Sequence, residues 1–123
     1  MGLRIGVLGA GSFATRFIPL FKAHPAVEAV YLAEALPERR REQAERFGVG
    51  ATFEGLDDLL GSDCDAVAIF TQRWLHGAQA VRALRAGKHV WMAARYCAPG
   101  IVAHESVRRE GQLMEIPDFG DAP

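Results

Sequence analysis

The sequence predicts an α/β fold in which helices cover both faces of a doubly wound parallel sheet. Two observations predict it. Short apolar runs alternate with helical patterns along most of the 123 residues, which is typical of successive βαβ units. The fourth of these runs, residues 65–71, is apolar almost throughout, as expected of a parallel strand that is buried on both faces.

The first predicted βαβ unit contains a glycine-rich turn. A strand at residues 3–8 leads into Gly9-Ala10-Gly11-Ser12-Phe13-Ala14, followed by a predicted helix at residues 12–23 and a second strand at residues 27–33. The turn fits the G-x-G-x-x-A pattern of Rossmann dinucleotide sites, in which the first glycine permits a tight turn and the second lets a pyrophosphate approach the backbone. A lone glycine turn can be an ordinary turn, but the flanking strands and helix favour dinucleotide binding.

An acid and a helix start complete this predicted site. Glu34 follows the second strand, 20 residues after Ala14, where its carboxylate can accept hydrogen bonds from the hydroxyls of an adenosine ribose. Ser12 and Phe13 open the first helix. The free N–H groups and partial positive charge of a helix start favour an anion there.

The first helix carries an aromatic stripe. Its apolar side chains recur at i, i+4, i+7 and i+8, which predicts a core-facing surface and not a ligand-stacking one; they are Phe13, Phe17, Leu20 and Phe21. Pro19 lies inside the predicted helix and removes one backbone donor, so we expect a kink or a shifted helix start.

The second helix begins at Pro37 and ends at Gly48, a suitable left-handed C-cap. Its charges could form a phosphate or nucleic-acid patch, but acids at positions 38, 42 and 45 interleave with Arg41 and Arg46. This spacing favours a solvated, ion-paired face. Arg39 is the exception, since the start of this helix lies near the adenosine ribose in such folds.

The remaining elements alternate in the same way. We expect a strand at residues 51–53, a short helix at 56–60, the fourth strand at 65–71, a helix from 72 to 86 and a fifth strand at 88–92. We also expect a helix at 101–110 and a sixth strand at 113–116, so that the dinucleotide-binding domain spans residues 1–116 and a frayed tail spans 117–123. The adjacent acids Asp57 and Asp58 point in different directions on a helix. They favour the positive end of its dipole and not a metal site.

In a doubly wound sheet, a ligand lies beyond the carboxyl ends of the strands, at the point where the strand order reverses. Here that point lies between the first and fourth strands. The predicted cofactor-binding residues converge on it, although the sequence scatters them: Gly9, Gly11, Ser12, Phe13, Glu34, Arg39, Thr71, Gln72 and His76. No catalytic residue and no metal ligand is predicted.

Composition narrows the class of protein. A net charge of −1 offers no electrostatic footprint for nucleic acid or for an anionic membrane. The N-terminus lacks the basic-then-apolar layout of a signal peptide. Two cysteines are too few for a disulfide framework, which fits free thiols in a reducing cytoplasm.

Residues 3–92 carry a more specific pattern. Its segments are Ile5-Gly6-Val7-Leu8-Gly9-Ala10-Gly11, Pro37-Glu38-Arg39 after Glu34, Arg46-Phe47-Gly48-Val49, Asp65-Ala66-Val67-Ala68-Ile69, Thr71 followed by His76, and Ala83-Leu84-Arg85-Ala86-Gly87-Lys88-His89-Val90. In these segments the chain resembles the N-terminal nucleotide-binding domain of the glucose–fructose oxidoreductase / myo-inositol dehydrogenase (Gfo/Idh/MocA) family. The resemblance implies NAD or NADP as cofactor and sugars, polyols or related carbonyl compounds as substrates. Glu34 followed by Ala35 favours NAD, because a carboxylate would repel a 2′-phosphate.

The departures from the family pattern bear on catalysis. Gln72 stands where the family usually has proline, and Ala94 stands where it has a lysine that reaches substrate and nicotinamide. The chain also stops where the family's second, substrate-binding domain would begin. We therefore expect the chain to be the cofactor-binding domain of such an oxidoreductase, truncated and not catalytic alone. The alternative is a non-catalytic NAD-binding or redox-sensing module that forms a homo-oligomer or pairs with another chain.

His76 has two interpretations. The resemblance implies a histidine close to the nicotinamide end of the cofactor at this position. A lone histidine in the first turn of a helix is otherwise a structural or solvent-exposed residue. The sequence does not decide between them.

Overall fold

The computed structural model describes residues 2–92, 103 and 105–115. Within residues 2–92, five strands form one parallel sheet: β1 (Leu3–Leu8), β2 (Val27–Ala33), β3 (Thr52–Phe53), β4 (Ala66–Ile69) and β5 (His89–Trp91). The helices of this part are α1 (Ala14–Ala23), α2 (Pro37–Phe47), α3 (Leu56–Leu60) and α4 (His76–Arg85), and a 3₁₀ turn at Arg73–Leu75 precedes α4.

The strand order is β3-β2-β1-β4-β5, so the direction of winding reverses at β1. At this point Leu8 pairs with Ala33 of β2 on one side and with Ile69 of β4 on the other. The carboxyl ends of the three central strands are therefore level and open onto one crevice. This arrangement confirms the predicted doubly wound parallel sheet.

The core has two layers, one on each face of the sheet. Val7 and Leu8 point to opposite faces, as successive strand residues do. Val7 packs in the layer that α1 and α2 cover, and Leu8 packs in the layer that α3 and α4 cover. Gly6 contributes by being small, because a Cβ there would lie 2.6 Å from Cδ1 of Leu59.

The prediction for the buried face of α1 is only partly correct, because Phe21 packs against the core but two other residues of the stripe are exposed. Ala14 and Ile18 are the fully buried residues of α1, whereas Phe13 is 53% exposed and Leu20 is 63% exposed. Phe17 and Phe21 are half-buried and pack in a ring cluster with Phe70, which directly follows β4, and with Trp91 of β5. The Phe13 ring contacts this cluster through Phe17 and Phe70. The glycine turn brings the start of α1 so close to the sheet that only a small side chain fits there, and Ile18 follows Ala14 on the same face. The helix also begins at Ala14, two residues later than predicted, with Pro19 inside it.

The second helix agrees with its prediction in position and cap. Pro37 is its first residue and Gly48 caps it with a φ of 63°, and no residue of α2 is buried. The predicted ion pairs along its surface are not formed: within residues 2–92, no ion pair joins two charges of α2. Arg39 and Arg40 reach back to Glu34 instead.

The C-terminal part agrees only partly with expectation. Residues 105–108 are helical, within the predicted helix. The predicted sixth strand is wrong for residues 113–115, which form no strand, and Leu113 is 98% exposed. Residue 116 and the predicted tail at 117–123 lie outside the described residues, as do Ala94 and Cys97. Among the residues that are described, no helix has the length and apolar composition needed to cross a membrane.

Candidate functional site

A crevice of about 650 Å³ opens at the carboxyl ends of the central strands. The glycine turn lies in its middle, β2 and β3 supply one side, and β4 with α4 supplies the other. Its lining includes Gly9, Gly11, Glu34, Arg39, Thr71 and Gln72 among the residues predicted from sequence. Six residues that the sequence scatters are thus brought together at the predicted switch point.

Gly9 is required by the fold. Its φ is 93°, and a Cβ on it would lie 3.1 Å from the carbonyl carbon of Phe70. Side chains rarely tolerate such a backbone conformation. The turn is held by a hydrogen bond that the Gly9 N–H donates to the carbonyl oxygen of Ala33 (2.8 Å). Gly9 therefore lets the chain leave β1 while staying in contact with β4.

The glycine at position 11 has a different explanation from the one at position 9. A Cβ built on it would meet nothing within 4 Å, so nothing in the protein itself requires a glycine there. Within the described part of the chain, the N–H groups of Ser12 and Phe13 make no hydrogen bond. An open space over a glycine, beside unpaired donors at a helix start, fits a pyrophosphate.

Glu34 is held in a fixed orientation beneath the turn. The residue is 8% exposed. Its Oε2 accepts a hydrogen bond from the N–H of Ala10 (2.8 Å), and its Oε1 accepts one from the N–H of Leu36 (3.3 Å). Arg39 Nη1 lies 4.0 Å from Oε1. A carboxylate has about four acceptor sites, so acceptor capacity remains for ribose hydroxyls.

A hydrogen-bonded chain of three residues lies on the β4 side of the crevice, and two of them, Thr71 and Gln79, line it. His76 is 5% exposed, and its Nε2 lies 2.8 Å from the carbonyl oxygen of Thr71. Since a carbonyl only accepts, Nε2 carries the proton in this bond. The Thr71 hydroxyl in turn donates to Oε1 of Gln79. His76 thus holds the end of β4 against the start of α4.

Three of the predicted site residues do not line the crevice, namely Ser12, Phe13 and His76. Ser12 and Phe13 directly follow the lining residue Gly11 in sequence, and the Phe13 ring packs against Phe17 and Phe70. Sequence reasoning missed lining residues on both sides, including Glu54, Leu75 and Gln79. Glu54 follows β3 directly, so the rule that places ligands at strand ends could have found it. Gln79 lies one helical turn after His76, and only that spacing pointed to it.

A second charged cluster lies at the opposite, amino-terminal end of β1. Arg4 donates hydrogen bonds to Asp63 and Asp65, and the Tyr31 hydroxyl donates to Asp63 (2.7 Å). The hydrogen bond from Arg4 lowers the pKa of Asp65, and the one from Tyr31 lowers the pKa of Asp63. This cluster joins β1, β2 and the turn before β4. The described residues contain no group of acids, histidines and cysteines suited to a metal ion.

Comparison with known proteins gives this crevice a context. The model of a family described as "Oxidoreductase family, NAD-binding Rossmann fold" matches residues 3–92. Over 90 residues the chain is 47% identical to a dTDP-3,4-didehydro-2,6-dideoxy-alpha-D-glucose 3-reductase from Streptomyces violaceoruber, a match that covers 72% of this chain and 26% of that enzyme.

Two solved structures are similar over most of the chain. A 3-ketoreductase from Actinomadura kijaniata, crystallised with NADP and TDP-benzene, has a TM-score of 0.69 at 36% identity, over 90% of this chain and 35% of that one. The WlbA dehydrogenase from Bordetella pertussis, in complex with NADH and UDP-GlcNAcA, has a TM-score of 0.66 at 26% identity, over 72% of this chain and 27% of that one. The chain thus spans about a quarter to a third of the length of these relatives.

Proposed function

The chain belongs to the glucose–fructose oxidoreductase / myo-inositol dehydrogenase (Gfo/Idh/MocA) family, of which it is an NAD(P)-binding domain, and from this premise we propose how the cofactor lies in the crevice. The adenosine ribose lies on Glu34, and the pyrophosphate lies over Gly11 and the start of α1. The nicotinamide half extends toward Thr71 and Gln72. The proposal rests on the distribution of lining residues along the order β2-β1-β4.

The observation that carries the proposal is the hydrogen bond from the Ala10 N–H to Oε2 of Glu34 (2.8 Å). It joins the glycine turn to the acid, so the pyrophosphate and ribose positions are fixed relative to each other. A site preorganised in this way loses less ordering entropy when ligand binds.

We also propose that NAD is preferred over NADP. The Glu34 carboxylate is nearly buried, and a 2′-phosphate on the ribose would bring a second negative charge against it. Arg39 moderates this repulsion from the outer side without removing it, because it lies 4.0 Å away and is half exposed. The two similar structures were crystallised with different cofactors, NADP in one and NADH in the other, so they do not decide the preference.

For the whole protein we propose oxidation or reduction of a sugar or a related carbonyl compound. A bound nicotinamide supplies the hydride donor or acceptor for such a reaction. This chain's residues bind the cofactor and shield it. With Ala94 at the position where the family has lysine, the chain offers no proton donor there, so we propose that hydride transfer needs residues beyond it. In addition, we propose residues 1–116 as the cofactor domain and a cytoplasmic location, which a reduced, buried Cys64 supports.

A second candidate is a non-catalytic NAD-binding or redox-sensing module that acts through a homo-oligomer or a partner chain. Ala94 is the observation that favours it. The two candidates share the cofactor site and differ in whether the chain takes part in turnover.

Calorimetric titration of the purified chain with NADH and NADPH tests the cofactor proposal. We expect NADH to bind more tightly, since only NADPH brings charge against Glu34. The proposal would be refuted if neither NADH nor NADPH bound to the chain. Oxidation of myo-inositol with NAD, assayed at high protein concentration, tests catalysis. We expect no turnover, and clear turnover would show that the chain is an enzyme by itself.

A further inference from the structure

Gln79 presents hydrogen-bond donors to the crevice. It is half-buried, lines the crevice and lies on α4 one turn after His76. Its Oε1 accepts the hydrogen bond from the Thr71 hydroxyl. Its side-chain nitrogen has no hydrogen-bond partner among the residues that the structure describes. Two N–H donors are therefore left for a ligand.

The Gln79 amide is anchored by Thr71. The Thr71 hydroxyl donates to the carbonyl oxygen of the amide, so in this arrangement the amide nitrogen is not used by Thr71. Thr71 is itself held by the His76 Nε2–H that donates to its carbonyl oxygen (2.8 Å). The three residues thus hold the amide in place before any ligand arrives, as binding sites require of their polar groups.

The strand order determines which part of a dinucleotide Gln79 would meet. Glu34 follows β2, Gly11 follows β1, and Thr71 and Gln79 lie beyond β4, in the spatial order β2-β1-β4. With the adenosine ribose on Glu34 and the pyrophosphate on Gly11, the second nucleotide half must extend toward β4. That half accepts hydrogen bonds at the oxygens of its phosphate and ribose, which lie nearest the pyrophosphate position, and at the carboxamide oxygen at its far end.

We propose that Gln79 is a cofactor-binding residue whose Nε2 donates to phosphate or ribose oxygens of the nicotinamide half, and that Thr71 and His76 position its amide. This inference rests on the proposed function, because it takes the direction of the cofactor from it. It adds a contact from the first turn of α4, which neither the glycine motif nor the acid indicates.

A series of ligands tests the contact on the full 123-residue chain. AMP contains only the adenosine half, ADP adds the second phosphate, ADP-ribose adds the second ribose, and NADH is complete. Gln79→Glu keeps an acceptor for Thr71 and nearly the same shape but removes both donors. Gln79→Met removes the polar group without adding charge. Gln112→Glu, on an exposed residue outside the crevice, is the matched control.

We expect both Gln79 variants to bind NADH about 10-fold or more weakly, as the loss of a hydrogen bond to a charged or strongly polar group implies. AMP should bind as it does to the wild type, and the first ligand in the series to lose affinity identifies the phosphate or the ribose as the acceptor. Thr71→Val should weaken the same ligands less, because it releases the amide without removing it. Melting temperatures of all variants show whether the fold is kept.

Three results would overturn the inference. Unchanged NADH affinity in both Gln79 variants would show that Gln79 does not contact the cofactor, while the proposed function would still stand. An equal loss of affinity for AMP and NADH would show that Gln79 acts only by supporting the structure. A wild-type chain that binds no ligand of the series would refute the proposed function, and this inference with it.

Discussion

The carboxylate of Glu34 accepts a hydrogen bond from the backbone N–H of Ala10 across a distance of 2.8 Å. The two residues are 24 positions apart in sequence, and the bond joins the end of β2 to the glycine turn after β1. Glu34 therefore has two roles, because it fixes the turn and also offers acceptor sites at the edge of the crevice. Substitutions can separate these roles.

Glu34→Ala should weaken NADH binding about 10-fold or more, since hydrogen bonds to a charged group contribute roughly 1.5–3 kcal/mol. NADPH should be affected much less, because the substitution also removes the negative charge that repels its 2′-phosphate and releases Arg39. Calorimetric titration of both cofactors measures the ratio. Glu38→Ala, in the first turn of α2, is the control and should leave the ratio unchanged. Equal losses for both cofactors would mean that Glu34 supports only the fold.

The two glycines of the turn should respond differently to the same substitution. Gly9→Ala forces a side chain into a φ of 93° and to 3.1 Å from the backbone of Phe70, so the free energy of unfolding should fall by about 1–3 kcal/mol. Gly11→Ala meets no atom within 4 Å and should leave stability unchanged while NADH affinity falls, because the methyl group occupies the space for the pyrophosphate.

Urea denaturation and calorimetry on both variants make this comparison. Each glycine serves as the control for the other, since the chemical change is identical and the positions are two residues apart. A Gly11→Ala variant that binds NADH as well as the wild type would contradict the proposed position of the pyrophosphate.

The sequence was informative where a motif acts through local geometry. The glycine turn, Glu34 and the cap at Gly48 depend on neighbouring backbone, so pattern and spacing sufficed to predict them. Thr71 and Gln72 followed from a topological rule about strand ends, and the structure places both at the crevice.

The prediction was only partly correct where two candidate faces had similar spacing. On α1, Ala14 and Ile18 are four residues apart, as are Phe13 and Phe17, so periodicity alone cannot say which pair meets the sheet. The larger side chains suggested the aromatic face, but the close approach of the turn to β4 selected the smaller residue. Gln79 was missed as well, because its spacing from His76 was the only indication in the sequence and its bond to Thr71 forms only in the fold.

The buried face of α1 can be tested by truncation. Ile18→Ala should lower the free energy of unfolding by about 2–5 kcal/mol, as expected for an aliphatic side chain removed from a close-packed core. Leu20→Ala, on a side chain that is 63% exposed, is the matched control and should cost less than about 1 kcal/mol. Chemical denaturation of both variants gives the two values. If Leu20→Ala lowered the free energy of unfolding more than Ile18→Ala does, the face that the sequence predicted would be the buried one.

The Arg4 cluster should make stability depend on pH. The hydrogen bond from Arg4 keeps the pKa of Asp65 below its value in the unfolded chain, which is about 3.9. The ionised carboxylate therefore stabilises the fold above that pH, and this contribution is lost as pH falls through the lower, folded pKa. Arg4→Gln should thus be less stable than the wild type near neutral pH, and the difference should narrow below about pH 4. Thermal melts of both proteins between pH 3 and 7 measure this difference in stability. They are done in low salt, because salt screens ion pairs that lie at the surface. Arg41→Gln, on the exposed surface of α2, should show no such pH dependence, and a constant difference for Arg4→Gln at every pH would contradict the assigned role.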